Sequence, residues 1–118
     1  MKQLLKAIPL LLLAACAGTA ARQNLLLPAL VSTWAHIKVQ VLRNTPALEP
    51  AADAASQALE VGDPTQIAAV DWASLEMAAA DDTEKRLQAG LIGLNVAVSL
   101  RNRLADFTSS RNLYLRKP

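Results

Sequence analysis

Few side chains in this sequence could do chemistry, and their spacing limits what each could do. Cys16 is the only cysteine and His36 the only histidine. Ser32 and His36 stand four residues apart, so on a helix they could touch. A serine–histidine pair also needs an orienting acid and an oxyanion hole to work as a hydrolase. Neither is nearby in sequence, so a hydrolase would have to bring a carboxylate to His36 from another element. The simpler reading is a solvated histidine on a polar helix face. A zinc site lacks a second histidine and a spare thiolate. Asp81, Asp82 and Glu84 lack the alternating oxygen ligands, central glycine and late glutamate of a calcium loop. They read instead as acids at a helix start, where the dipole favours them. Asp71 and Glu76 are lone carboxylates. The only aromatic residues are Trp34, Trp72, Phe107 and Tyr114, too few to suggest a sugar-stacking cleft. The expectation is a protein without metal or cofactor that works by binding and is not an enzyme.

Cys16 is the exception, because of what precedes it. It follows the apolar run and two alanines within the stretch LLLLAACAGTA, Leu10 to Ala20. Lys2 and Lys6 form a short positive segment, Ile8 to Leu13 an apolar core, and Ala14 and Ala15 a small-residue step. The core is far shorter than the roughly 20 residues that span a bilayer, and the layout is that of an export signal. The quartet Leu13-Ala14-Ala15-Cys16 resembles the lipobox of bacterial lipoproteins, a resemblance covering residues 1–17. It implies that residues 1–15 are a signal peptide removed by a dedicated peptidase. Cys16 would take a diacylglycerol on its sulfur, and the new amine a further acyl chain such as palmitate. The thiolate is the nucleophile in such a step, and two or three chains make a stable anchor where one is marginal. In the same family, a residue other than Asp after the cysteine, here Ala17, implies an outer-membrane address facing the periplasm. Cleavage after Ala17 or Ala20 by the ordinary signal peptidase and a buried structural cysteine remain the competing readings.

From Cys16 onward the chain has 103 residues, enough for one small domain. Without Lys2 and Lys6 it carries ten basic and ten acidic residues, so no globally basic, nucleic-acid-seeking surface is expected. Residues 16–24 read as a lipidated tether, 25–107 as a helical domain and 108–118 as a basic tail without stable period. Leu26, Leu30, Trp34, Ile37 and Val41 recur at helical spacing, and Pro28 is tolerable only in a first turn. A helix is therefore expected from residues 25–28 to Asn44. An Ala-rich helix should follow over about 50–60, with Leu59 its large apolar residue. Gly62, Asp63 and Pro64 read as a stop, a cap and a first position for a third helix running to about Ala80. On it, Ile67, Val70 and Met77 share one side, and Trp72, Leu75 and Ala79 the adjoining one. Asp81 then reads as the start of a fourth. Within that segment the stripes Leu87, Leu91, Leu94, Val98 and Val96, Leu100, Leu104, Phe107 point in different directions. Gly90 and Gly93 lie at the change, and a break there explains it. No strand alternation or repeat appears, so the fold expected is a small all-α bundle of about four helices.

Charge is segregated along the chain. From Asn44 to Glu84 there are nine acids and no Lys or Arg; from Arg101 to Lys117 there are five basic residues and one acid. Such a layout can knit one part of a fold to another, or present opposite patches to partners. In the second case Arg101, Arg103, Arg111, Arg116 and Lys117, with Tyr114 between Leu113 and Leu115, would meet an envelope protein or an anionic envelope polymer. Besides an accessory or structural lipoprotein, a phage-derived lipoprotein that blocks a receptor or DNA injection fits the same features.

Overall fold

A computed structural model describes residues 25–116; the expected signal peptide, Cys16, the expected tether and residues 117–118 lie outside the described residues. Five α-helices and one 3-10 turn make up the rest, with no strand among the described residues. They are α1 (Leu27–Asn44), α2 (Glu49–Val61), α3 (Pro64–Ala68), α4 (Trp72–Gln88) and α5 (Leu94–Leu115), with the 3-10 turn at Pro46–Leu48 between α1 and α2. The protein is a small all-α bundle.

α1 sits at the centre. Pro28 falls in its first turn, and Leu30, Trp34, Ile37 and Val41 are buried along one face, as their spacing requires. α2 runs antiparallel beside it: Trp34 Nε1 donates to Ser56 Oγ (2.9 Å), and Lys38 pairs with Asp53 (2.7 Å) one turn further back. The buried face of α2 is Ala52, Ala55, Ala58 and Leu59, small enough for close approach of the two axes. Gly62 ends α2 at φ +77°, the left-handed conformation that glycine adopts without steric cost. Asp63 then caps α3, accepting from the Thr65 N–H (3.0 Å), with Pro64 next.

The third helix does not run unbroken to Ala80. α3 stops at Ala68, and the chain turns through Ala69–Asp71 before α4 begins. Asp71 causes the restart: its carboxylate accepts from the Ser74 N–H (3.3 Å) and the Ser74 hydroxyl (2.7 Å). Trp72 Nε1 meanwhile donates to the Ile67 carbonyl (2.7 Å), satisfying a C-terminal acceptor of α3. Nor does a helix begin at Asp81. Those acids lie inside α4, and Asp82 and Thr83 face inward toward Gln40 of α1. Met77, expected on an inner side, is exposed, because the restart at Asp71 resets which residues face α1.

α4 runs parallel to α1, with Trp34 beside Trp72 and Gln40 beside Thr83. The expected break between Gly90 and Gly93 is present. Gly90 has φ +74°, its N–H reaches Leu87 O (3.1 Å), and the Leu91 N–H reaches back to Arg86 O (2.9 Å). That pair of bonds is a Schellman close. α5 then returns antiparallel to α1 and α4. It extends through Leu115, so most of the stretch read as an aperiodic tail is helix, held by Arg111 and Tyr114. Phe107 completes an aromatic cluster with Trp34 and Trp72, the ring centroids lying 5.4–5.9 Å apart. Of the two stripes expected here, Phe107 and Leu104 pack on the core. Leu94 and Val98 face solvent because α5 turns that side away from its neighbours, and Leu91 is exposed in the turn before it. Among the described residues no helix is long and apolar enough to cross a membrane.

Candidate functional site

The arginines of α5 do not form one open basic patch. Arg101 and Arg111 lie on the side that faces α4, and each meets an acid there. Arg101 Nη2 pairs with Glu84 Oε2 at 2.7 Å on the surface. Hydrogen bonds from Gln88 and then from Arg101 hold the Glu84 carboxyl below the usual glutamate value. Arg111 Nη2 pairs with Glu76 Oε1 at 3.0 Å, and the two side chains are only 11% and 15% exposed. Its guanidinium also lies 5.1 Å from the centre of the Trp72 ring, a cation–π arrangement suited to a planar cation. The Thr108 hydroxyl donates to the same Glu76 carboxylate. Glu76, on its own in the sequence, is therefore the hub that fastens the second turn of α4 to the last turns of α5.

Arg103 points the other way, toward α1. Its Nη2 donates to Gln40 Oε1 (3.2 Å), and its Nε is buried without an acceptor. Gln40 is itself buried, and its amide donates to Thr83 Oγ1 (2.9 Å). Thr83 in turn donates to the Ala79 carbonyl (3.3 Å), and Asp82 receives Arg43 Nε at 3.4 Å. This polar layer crosses α1, α4 and α5 at one level, one step along from the aromatic cluster. Buried polar groups hydrogen-bonded to one another across helices fix which residues face each other, although Arg103 Nε is left without an acceptor.

Arg116 follows the end of α5 and is exposed, and it takes part in an interaction of its own. Lys117 and Cys16 lie outside the described residues. Of the five basic residues expected to make a contact surface, the structure thus engages Arg101, Arg103 and Arg111 within the fold. His36 and Ser32 are exposed on α1. Among the described residues, no group of three His, Cys, Asp or Glu side chains stands together.

A groove of about 370 Å³ runs between α1 and α5. Leu30 and Phe107 form its apolar part; Thr33, Ser99, Asn102, Arg103, Asp106 and Ser110 supply the polar part. Sequence reasoning missed a second feature, the apolar turn at Leu91 to Val98. The available clue was that its leucines flank two glycines just after Lys85 and Arg86.

The structure thus defines a helical bundle whose charged face is largely spent on holding its own helices. No family model, curated protein or solved structure matches the chain.

Proposed function

We propose that this chain is the precursor of a small bacterial envelope lipoprotein, anchored through Cys16 in the outer membrane and facing the periplasm. There it acts as a binding or structural accessory and not as a catalyst. The observation that carries the reading is the quartet Leu13-Ala14-Ala15-Cys16, which places the only cysteine at the end of a short apolar segment behind Lys2 and Lys6. The chemistry is consistent: a thiolate acceptor, small residues that let a peptidase reach the backbone, and too short an apolar run to span a bilayer. None of the described helices is long and apolar enough to cross a membrane.

Mass spectrometry of the protein purified from membranes tests this directly. A mature N-terminus at Cys16 carrying diacylglycerol and an amide-linked acyl chain is expected. An unmodified thiol at Cys16, or a Cys16→Ser variant that still fractionates with the outer membrane, would overturn the reading. Crosslinking in intact cells followed by pull-down then separates a binder from a spacer, through one reproducible partner or none.

A further inference from the structure

The α4–α5 turn carries the most exposed apolar cluster that lies close together in the sequence. Leu91 is 69% exposed, Leu94 63%, Val96 48% and Val98 43%. The Schellman close at Gly90 places Leu91 outside the bundle. In such a motif the residue at this position commonly folds back on an apolar side chain five or six positions earlier. Here those positions hold Arg86 and Lys85, so Leu91 lacks the usual apolar seat and stays 69% exposed. Neither Lys85 nor Arg86 has an ion-pair partner among the described residues.

We propose that this turn is a membrane contact in its own right: Leu91 and Leu94 enter the interfacial zone of an anionic bilayer while Lys85 and Arg86 bind its headgroups. Two observations favour lipid over a second protein surface. Val96 projects from α5 roughly 200° around the helix from Leu94 and Val98 project. The tip is therefore apolar on opposite sides, Asn95 being the polar exception. A fluid medium can surround such a tip, whereas a protein docks on one face. A symmetric copy would also bring two unpaired Lys85–Arg86 pairs near one another, which phosphate headgroups would instead neutralise. Leu94 to Val98 covers about 6 Å of helix, comparable to the depth at which apolar faces sit at the headgroup–acyl boundary.

The contact does not depend on acylation of Cys16, but it is compatible with it. Leu27 lies by Gly62 and Tyr114, at the end of the bundle opposite the turn. From Tyr114 to Leu94 α5 covers about 30 Å. The nine residues from Cys16 to Asn24 can span at most about 30 Å, so both contacts can reach one bilayer.

The test uses the full chain with Cys16→Ser and a single new cysteine, Leu94→Cys or Val98→Cys, carrying an environment-sensitive fluorophore. Gln57→Cys on exposed α2 is the control. Vesicles of phosphatidylethanolamine with phosphatidylglycerol should shift emission to the blue at 94 and 98 and not at 57. Lys85→Gln with Arg86→Gln should weaken that response about thirtyfold. Labels at 94 and 98 that stay in water would overturn the proposal, whether or not the chain binds the vesicles by another part. So would a shift that needs no vesicles and grows with protein concentration, which would assign the turn to a second copy of the chain. Because Cys16 is absent throughout, none of these outcomes bears on the lipoprotein reading.

Discussion

The Tyr114 hydroxyl donates a 2.6 Å hydrogen bond to the carbonyl of Gly62, across 52 positions of sequence. This one bond ties the last turn of α5 to the turn that closes α2. Burial, and secondarily the Asp63 carboxylate, raise the tyrosine above its ordinary value of 10.0. A raised value means that the neutral form is favoured on folding. Its contribution is complete below about pH 10 and is lost as pH rises through the raised value. Tyr114→Phe should therefore cost about 1–2 kcal/mol at neutral pH, and urea titrations should show its deficit shrinking above pH 10. A deficit that stays constant to strong alkali would refute the linkage.

Arg111 and Arg101 both pair with an acid of α4, yet their removal should differ sharply. Arg111→Ala strands the largely buried Glu76 carboxylate and uncovers Trp72, and should cost about 3 kcal/mol. Arg111→Lys should recover little of it, since an ammonium cannot reproduce the planar stack. Arg101→Ala removes an exposed pair and should leave thermal stability unchanged within error. Thermal melts of the three variants decide the order.

Gly62 and Gly90 share a left-handed backbone but not their surroundings. A methyl group on Gly90 meets nothing within 4 Å, so Gly90→Ala should cost about 1 kcal/mol, from conformation alone. At Gly62 the same methyl lands 2.8 Å from Leu27 Cδ2. Gly62→Ala should therefore be the more damaging, and Leu27→Ala should partly relieve it in the double variant.

Asp71 caps α4, and the bonds from the Ser74 hydroxyl and N–H hold its carboxyl below the ordinary aspartate value of 3.8. A lowered value means that the stabilisation is present above that ordinary value and fades as pH falls through the lowered one. Asp71→Ala should lower the melting temperature at neutral pH. The gap from the parent protein should then close in strong acid, as followed by circular dichroism.

The first helix was legible because five large apolar residues and a first-turn proline agree on one answer. The stop at Gly62, the cap at Asp63 and the break at Gly90 were legible because glycine and proline constrain the backbone locally. What the sequence concealed was tertiary. Asp71 and Asp81 each precede a polar residue at capping distance, and nothing local says which one starts a helix. The choice falls on Asp71 because Trp72 must reach Trp34 and Phe107. Asp82 can stay inside a helix because Gln40 and Arg43 meet it from α1. The charge segregation left open whether the α5 arginines knit the fold or face outward, because their acceptors, Glu76 and Glu84, lie far away in sequence. The exposed turn was visible only as an apolar stripe, and a stripe does not disclose whether anything covers it.

α5 supplies the third ring of the aromatic cluster and, through Arg111 and Tyr114, the fastenings at one end of the bundle. Until that helix has left the ribosome, Trp34 and Trp72 lack a lid and α1 has one flank bare. The growing chain therefore has little means of locking into its final shape early. A core that closes this late leaves the emerging polypeptide pliable until its final helix has been made.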